Sequence, residues 1–436
     1  MRIAIVGSGI SGLGAAWLLR EGHAVTLYEK ETRLGGHAHT VSVEYDGRQI
    51  PVDIGFIVFN HLNYPNLTAL FAELGVPCRL SDMSFGVSLD GGRLEWSSNS
   101  LTGVFAQKRN LASPSFLTML TDMVRFNTTA PAHRQGGVLA GLSLGDYLAE
   151  RRYSRAFREF YLLPMGAAIW SVSCRQMLDF PAESFVSFFE NHRLLSVRRP
   201  GWWTVDGGSQ SYVSRLAARL DADIRLRCGV RSIQRGETGV LVRDESGGEA
   251  IYDQVILACH SDQALALLAD ASEEERAVLG PMRYGPNTAF LHRDESLMPR
   301  RRRSWASWNY LTGTPGRAAD PGQGVGVTYW MNRLQSIDAD RPLFVSLNPP
   351  HRPAEDKIFL EHAFAHPIFD QPALAAQKRL GSIQGVNRTW FCGAWSGYGF
   401  HEDGLASGLD VAERLSGRAR PWRVAARGMD LRQAAE

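Results

Sequence analysis

The sequence contains little lysine, few cysteines and no long apolar stretch. Only four of its 436 residues are lysines. The cysteines are odd in number and widely spaced, which does not indicate a metal centre or a disulfide framework, so we expect reduced, mostly buried thiols. No apolar run has membrane-spanning length, and a strand pattern that starts at residue 3 leaves no room for a leader peptide, so we predict a cytoplasmic protein. The cysteines are Cys78, Cys174, Cys228, Cys259 and Cys392.

The net charge is also small. A formal charge of +2 excludes the strong positive field of a nucleic-acid-binding protein. Arginines are nevertheless concentrated at residues 300–303 and from Arg414 to the end of the chain. Two interpretations stay open for these patches. They contact the anionic inner face of a membrane, or they are a solvated turn and a frayed tail.

A glycine-rich turn follows the first predicted strand. After the buried-strand pattern of residues 3–6, Gly7 permits a tight turn and Gly9 lets the backbone approach a pyrophosphate. Gly12 lets the next helix, residues 11–20, pack closely with its positive end toward the phosphates. The following strand, residues 24–28, ends in Glu29, whose carboxylate can accept hydrogen bonds from ribose hydroxyls. This order of elements predicts binding of an adenosine dinucleotide.

The remaining patterns predict an α/β fold with two domains. Helical spacing predicts helices at 67–74 and 213–220, a helical insertion at 110–200 that includes helices at 157–174 and 185–195, and a last helix at 405–415. Strand patterns predict a small meander at 224–228, 240–243, 250–252 and 255–259, a second sheet at 288–292, 304–310, 325–331 and 343–347, and a strand at 390–392. We therefore expect a discontinuous Rossmann-type domain (1–75, 205–262 and 386–418), a mixed α+β substrate domain (76–204 and 263–385) and a basic tail (419–436).

Three separated motifs carry a family resemblance. They are Arg-Leu-Gly-Gly at 33–36, Phe-Cys-Gly-Ala at 391–394 and Glu-Asp-Gly-Leu-Ala-Ser-Gly at 402–408. Over nearly its whole length the chain resembles the flavin amine oxidase and phytoene desaturase superfamily. Residues 35–40, 53–60 and 397–404 resemble a bacterial branch of it, which is similar to the flavoprotein half of plant cyclopropane fatty acid synthases and to the desaturase of furan fatty acid synthesis.

The resemblance implies FAD as the cofactor. It assigns the pyrophosphate to the three glycines of the first turn, the adenosine ribose to Glu29, and the adenine to the backbone of Val230, which is expected to follow the first strand of the meander. It places Ala394 where many relatives have an acid, so Asp403 is the candidate to replace that contact. The residues expected to bind FAD are Gly7, Gly9, Ile10, Ser11, Gly12, Glu29, Lys30, Arg33, Gly35, Gly36, His37, Val230, Gly393, Asp403, Gly404, Leu405 and Ala406.

The resemblance also separates two kinds of chemistry. An amine oxidase of this fold would be expected to have an aromatic residue two positions before the final acid–glycine pair, and a lysine in a substrate-domain strand. The first position is His401, and the strand pattern at 284–292 contains no lysine. A flavin desaturase needs an apolar tunnel and at most one base near the flavin. His401 is the predicted base, with Glu402 and Tyr398 expected to orient it; the alternative is a structural histidine.

Aromatic residues crowd the helical insertion, and arginines follow them. This order indicates either an acyl-chain tunnel with an entrance at a membrane surface, or an ordinary core. The residues are Phe157, Phe160, Tyr161, Leu162, Leu163, Ile169, Trp170, Phe180, Phe185, Phe188 and Phe189, followed by His192, Arg193, Arg198 and Arg199.

The sequence thus predicts an FAD-dependent oxidoreductase that desaturates a phospholipid-bound acyl chain, such as a methyl-branched one, by hydride transfer to flavin N5. Its expected partners are the lipid substrate, an anionic membrane and a lipid methyltransferase, without nucleic acid or metal. The alternatives are a flavin amine oxidase and a non-catalytic lipid-binding flavoprotein that serves the methyltransferase.

Overall fold

The computed structural model describes residues 1–196, 200–313 and 326–424. Its strands are β1 (Arg2–Val6), β2 (Ala24–Tyr28), β3 (Thr40–Tyr45), β4 (Arg48–Asp53), β5 (Cys78–Ser81), β6 (Phe85–Leu89), β7 (Leu94–Ser97), β8 (Trp202–Val205), β9 (Ala222–Arg225), β10 (Val230–Arg235), β11 (Val240–Asp244), β12 (Glu249–Tyr252), β13 (Gln254–Leu257), β14 (Arg283–His292), β15 (Trp308–Leu311), β16 (Gly326–Trp330), β17 (Phe344–Leu347), β18 (Ile358–Ile368) and β19 (Thr389–Phe391). Its helices are α1 (Ile10–Leu19), α2 (Pro65–Leu74), α3 (Leu101–Val104), α4 (Pro114–Gln135), α5 (Leu144–Glu150), α6 (Arg155–Phe157), α7 (Leu163–Trp170), α8 (Cys174–Leu178), α9 (Ala182–Asn191), α10 (Gln210–Ala217), α11 (Ser261–Leu267), α12 (Glu273–Leu279), α13 (Met331–Leu334), α14 (Gln371–Arg379) and α15 (His401–Ser416).

A parallel sheet of five strands lies beneath the glycine-rich turn. Its order is β19-β13-β1-β2-β9, so strands from the beginning, middle and end of the chain pair side by side. The central strand is completely buried at Ile3, Ala4 and Ile5, as expected for a parallel sheet covered on both faces. Helices α1 and α15 pack against each other, which joins the two ends of the chain at this sheet.

A second, mixed sheet of seven strands has the order β18-β14-β17-β16-β15-β6-β7. Its existence was predicted, but β6, β7 and β18 were not. The sequence pattern does not predict β18, because histidines interrupt its apolar residues and because Pro367 is unusual in a strand. β18 is at the edge of the sheet, where proline is tolerated.

The helical insertion is present, with different helix bounds from those predicted. The helix expected at 157–174 starts at Arg155, passes through a π-helical turn at Arg158–Leu162 and ends at Trp170. It ends there because Ser171 adopts a left-handed conformation (φ 56°). The helix expected at 185–195 is α9, which ends at Asn191.

Two predictions about the strands and one about the cysteines are wrong. Two of the four strands expected in the meander belong to the parallel sheet instead: the first is β9, at the edge of that sheet, and the last is β13, beside β1. The three-stranded meander consists of β10, β11 and β12. Val230 therefore begins the meander instead of following its first strand. All five cysteines are free, but only Cys392 is buried. Among the described helices, none combines the length and the hydropathy needed to cross a bilayer.

Candidate active site

A cavity of about 1180 Å³ is lined by residues of both large sheets and of the helical insertion. We call its two parts the nucleotide part and the substrate part. The nucleotide part is lined by the turn after β1, the segment after β2 and the start of β10, including Gly7, Ser8, Gly9, Glu29, Lys30, Arg33 and Val230. The substrate part is lined by α7, α9 and the seven-stranded sheet, including Met165, Ile169, Trp170, Phe188, Trp308, Tyr329, Val345, Leu347 and Phe364.

The glycine-rich turn has the shape of a phosphate cradle. A Cβ atom added to Gly12 would lie 2.0 Å from the Gly7 carbonyl oxygen, so the close approach of α1 to the turn requires glycine there. A Cβ atom at Gly9, by contrast, would have no heavy atom within 4 Å among the described residues. Because Gly9 lines the cavity, this free space is where a pyrophosphate fits, with the N-terminus of α1 beside it.

Two charged side chains hold the backbone around the nucleotide part. The buried Glu29 carboxylate accepts hydrogen bonds from the backbone N–H and the hydroxyl of Ser8, at 2.9 and 2.5 Å. The Arg33 guanidinium donates to the carbonyl oxygens of Gly36 (2.7 Å) and Ala38 (3.1 Å), which fixes the double-glycine turn. Partial burial lowers the pKa of Arg33.

Most, but not all, of the residues predicted from the sequence line the cavity. Those that do are Gly7, Gly9, Ile10, Ser11, Glu29, Lys30, Arg33, Gly35, Gly36, His37, Val230, Gly393, Tyr398 and His401. Gly12, Glu402, Asp403, Gly404, Leu405 and Ala406 are not among the lining residues. For residues 403–406 the reason is that α15 begins at His401, four residues before the predicted start, which places them inside the helix.

Asp403 does not supply the acid that is missing at Ala394. Its carboxylate accepts hydrogen bonds from the backbone N–H groups of Tyr398 (3.1 Å) and Phe400 (3.0 Å), and thereby stabilises the turn that precedes α15. Leu405 is completely buried and packs next to Gly14 of α1.

His401 lies in the cavity wall with its ring stacked on Phe56 at 4.0 Å between ring centroids. Its Nε2 atom is 2.5 Å from the hydroxyl oxygen of Tyr212. Burial lowers the pKa of His401 to about 3, so the ring is neutral at physiological pH. The pKa of the predicted base therefore lies well below neutrality.

The hydrogen bond to Tyr212 also determines the tautomer of His401. Burial raises the pKa of Tyr212 well above its usual value, so this phenol keeps its proton. Among the described residues, its hydroxyl group is hydrogen-bonded to His401 alone, and the proton would lack an acceptor if Nε2 were the donor. Tyr212 therefore donates to Nε2, and His401 carries its own proton on Nδ1. The histidine is a fixed neutral hydrogen-bond donor.

Glu402 does not orient His401. Its buried carboxylate accepts hydrogen bonds from the backbone N–H of Asn66 (2.9 Å), the Asn66 amide (2.8 Å) and the backbone N–H of Leu67 (2.9 Å). It thus caps the N-terminus of α2, an anchoring role instead of a catalytic one. Tyr398 lines the cavity against Phe188, with ring centroids 5.8 Å apart.

Five histidines meet beside the double glycine. His37 lies 5.5 Å from His366 and 6.3 Å from His260 between ring centroids, and His39 lies 4.9 Å from His362. Burial lowers the pKa of all five, that of His366 to about 4, so they are neutral. His362 and His366 were missed, although their even spacing would have placed them on one face of a strand had β18 been predicted.

The aromatic residues of the insertion divide between cavity and core. Ile169, Trp170, Phe188 and His192 line the substrate part. The other eight predicted apolar residues do not line it: Phe157, Leu162, Phe185 and Phe189 are completely buried in the core, and Phe160, Tyr161, Leu163 and Phe180 lie in or against that core. The predicted tunnel lining is wrong for all eight. Arg198 and Arg199, like Arg427 and Arg432 of the tail, lie outside the described residues.

A parallel sheet with a phosphate cradle, joined to a second sheet across one cavity, is the architecture of a dinucleotide-binding protein. The chain belongs to the family of flavin-containing amine oxidoreductases, whose model matches residues 10–297. FAD is therefore its cofactor, as its motifs predicted.

The curated relatives differ in their substrates. A protein of Mycobacterium tuberculosis named as a flavin-containing monoamine oxidase is 28% identical over 261 residues, which are 56% of this chain and 54% of that protein. The carotenoid phi-ring synthase of Streptomyces griseus is 27% identical over 331 residues (65% and 58%), and the coproporphyrinogen III oxidase of M. tuberculosis 29% identical over 288 (61% and 60%). The chain thus spans little more than half the length of each.

Solved structures share the fold along the whole chain. The fatty acid isomerase of P. acnes that produces CLA has a TM-score of 0.63 at 16% identity, covering 95% of this chain and 98% of its own. Cyclohexylamine oxidase from Brevibacterium oxydans has a TM-score of 0.65 at 17% identity, covering 95% and 99%. At these identities the likeness establishes the fold, and the predicted fold class is confirmed.

Proposed function

We propose that this protein desaturates a fatty acyl chain carried on a phospholipid, with FAD as the hydride acceptor. The observation that carries the proposal is the absence of charge from the described lining of the substrate part. All five charged lining residues belong to the nucleotide part or its surroundings; they are Glu29, Lys30, Glu31, Arg33 and Glu245. An acyl chain suits the remaining wall of apolar, aromatic and neutral histidine side chains, whereas a protonated amine would lose its hydration there without a carboxylate partner.

The position of the lysines supports the same choice. Lys30 is the one lysine among the described lining residues, and it lies next to Glu29 in the nucleotide part. β14 has no lysine. The lysine that the resemblance would place over the flavin in an amine oxidase is therefore missing from this strand.

The reaction would remove two hydrogens from neighbouring carbons. One leaves as a hydride to flavin N5 with both electrons, the other leaves as a proton, and a carbon–carbon double bond forms. Loss of hydride leaves positive charge on the chain, which a methyl branch stabilises. A carbon next to such a charge is a strong acid, so even a neutral histidine of low pKa, such as His366, suffices to accept the proton. One turnover needs no further oxidant; repeated turnover needs dioxygen or a quinone to reoxidise the flavin.

A single-turnover experiment tests this proposal. Oxidised holoprotein is mixed anaerobically with detergent micelles of a phospholipid that carries a methyl-branched saturated acyl chain. We expect the visible flavin absorbance to bleach, and mass spectrometry to find acyl chains lighter by two hydrogens in the same amount as the reduced flavin. Deuterium at the branch carbon should slow the bleaching.

A matched pair of variants ties the result to the cavity. Ile169 and Leu178 are both partly buried against the core of the insertion, but only Ile169 is a lining residue. Ile169→Asp should slow bleaching by the lipid at least tenfold, on the order expected for a charge placed in an apolar site, whereas Leu178→Asp should not.

Three outcomes would overturn the proposal. Bleaching by a polyamine, with hydrogen peroxide release in air and no reaction with lipid, would indicate an amine oxidase. A shifted double bond without a change in hydrogen content would indicate an isomerase. Lipid binding that never bleaches the flavin would indicate a non-catalytic partner of a lipid methyltransferase.

A further inference from the structure

Four exposed large apolar side chains lie between α3 and the middle of α4, and we call them the apolar face. Leu101 is 80% exposed, Leu111 57%, Leu117 43% and Val124 60%. On α4, Leu117, Thr121, Val124 and Thr128 are spaced by four, three and four residues, which places them along one side of the helix. Large apolar side chains exposed next to one another are characteristic of interaction sites.

The threonine hydroxyl groups on and beside this face donate their protons to backbone carbonyl oxygens of the same helix. Thr118 donates to the Pro114 carbonyl oxygen at 2.8 Å, Thr121 to that of Leu117 at 3.1 Å, and Thr128 to that of Val124 at 3.0 Å. Since an unsatisfied hydroxyl is costly to remove from water, these internal hydrogen bonds let the helix face enter an apolar environment.

Basic residues border the apolar face. Lys108 and Arg109 are exposed in the turn between α3 and α4. The arginines at 300–303 are exposed as well, and α3 packs against the turn Arg302–Ser304 that contains two of them. The two basic groups meet at residues 92–93, where Arg109 donates to the Arg93 carbonyl and Arg301 donates to that of Gly92 at 3.3 Å.

The charge of this surface is positive. Lys108, Arg300 and Arg303 form no ion pair with any carboxylate in the described part of the chain, whereas Arg301 pairs with Glu95 and Arg302 with Glu295. Between residues 96 and 145 the sequence has one carboxylate, Asp122, which is buried and paired with Arg125 at 2.8 Å.

We propose that this surface, formed by Leu101, Lys108, Leu111, Leu117, Val124 and Arg303, docks on an anionic phospholipid bilayer. The leucines and the valine would insert below the headgroups, while the basic residues pair with headgroup phosphates. We choose an anionic bilayer because its negative headgroups complement the positive charge of this surface. The inference deepens the proposed function, since it names the source from which a lipid-bound substrate would be drawn.

The test measures co-sedimentation of the full-length oxidised holoprotein with sucrose-loaded vesicles. We expect binding to vesicles of phosphatidylglycerol mixed with phosphatidylcholine, little binding to phosphatidylcholine alone, and weaker binding as salt is raised, because surface charges are screened. Absence of binding to the anionic vesicles would overturn the proposal.

Paired variants locate the surface. Lys108→Glu with Arg303→Glu, and separately Leu117→Ser with Val124→Ser, should each weaken binding by about tenfold or more. The controls are Lys378→Glu on α14 and Ile251→Ser on β12, which change an exposed lysine and a 56%-exposed isoleucine elsewhere. All variants keep the basic tail, so binding that the controls reduce as much as the test variants would place the contact elsewhere and contradict the proposal.

Micellar lipid separates this inference from the proposed function. If docking variants lose vesicle binding and still bleach with micellar lipid, both stand. If the wild-type protein bleaches with micelles but does not bind vesicles, the docking surface alone is wrong; if it binds vesicles but never bleaches, the proposed reaction alone is wrong.

Discussion

At the scale of single residues, the hydroxyl group of Tyr212 decides which nitrogen of His401 carries the proton. In Tyr212→Phe, Nε2 of His401 loses its donor, so we expect the protein to lose about 1–3 kcal/mol of stability. The tautomer is then no longer fixed, and the cavity loses a constant hydrogen-bond donor. We therefore also expect a shifted absorption spectrum of the bound flavin and slower flavin reduction. Urea unfolding and anaerobic stopped-flow measurements check the two effects.

Tyr147 provides the matched control, because it is buried and its hydroxyl oxygen is 2.9 Å from Nδ1 of His133, outside the cavity lining. Tyr147→Phe should lose a similar amount of stability and leave the flavin spectrum unchanged. If both variants leave the spectrum unchanged, Tyr212 has only a structural role.

This pair of residues also shows what the sequence could and could not reveal. The glycine-rich turn was predictable because its function depends on glycines a few residues apart, in a fixed order with a strand and a helix. Tyr212 and His401 are 189 residues apart, and nothing local marks either as the partner of the other. Contacts of this kind arise only when the chain folds.

At the scale of secondary structure elements, Glu402 connects α15 to α2. Replacement by Gln removes the negative charge that accepts three hydrogen bonds at the N-terminus of α2. We expect Glu402→Gln to lower the free energy of unfolding by about 2–3 kcal/mol, since hydrogen bonds to charged groups are the stronger ones. The rate of flavin reduction at saturating lipid should stay within about twofold of wild type, because the carboxylate does not line the cavity.

Glu273→Gln, at an exposed position in the first turn of α12, is the control and should change stability by less than about 0.5 kcal/mol. A large loss of flavin reduction in a stably folded Glu402→Gln protein would restore the catalytic role that the sequence suggested for this residue.

The start of α15 explains why that role was suggested. The sequence pattern placed the helix at 405, yet Glu402 and Asp403 were a signal for an earlier start, because acids favour the first turn of a helix. With the start at His401, side chains that follow one another in sequence point in different directions, so that His401 lines the cavity and Glu402 contacts α2.

At the scale of the whole molecule, the division into two large sheets was predictable from the sequence. The division of the aromatic residues of the insertion between the cavity wall and the core was not. Strand patterns indicate pairing partners only through order and length, which sufficed for β1 and β2 beside the cradle but not for β9 and β13 of the same sheet. Whether an aromatic residue of the insertion faces the cavity or the core depends on how α7 and α9 are rotated against their neighbours. The neighbouring residues Phe188 and Phe189 therefore differ in position: Phe188 lies in the cavity wall and Phe189 in the core. Their sequence pattern does not distinguish them.

The whole molecule should be destabilised by mild acid, because it buries several neutral histidines. Burial lowers the pKa of His292 and His366 to about 4 and that of His401 to about 3, below the value of about 6.5 in the unfolded chain. The unfolded state therefore takes up protons that the folded state does not, and stability falls as the pH drops below 6.5. Asp53 acts in the opposite direction between pH 4 and 6, since burial raises its pKa to about 6, but it offsets only one histidine.

We expect the urea midpoint of the holoprotein to fall steadily from pH 7 to pH 5. His292 is the position to test, because it lies in the seven-stranded sheet, outside the cavity lining, with Nε2 2.7 Å from the Ser346 hydroxyl oxygen. His292→Gln should flatten the dependence of unfolding free energy on pH by about 1 kcal/mol per pH unit on average in this range, approaching the one-proton limit of about 1.4 kcal/mol per unit near pH 5. His351→Gln, at an exposed position, is the control and should keep the wild-type slope. Equal slopes for all three proteins would show that buried histidines do not govern the acid sensitivity of the fold.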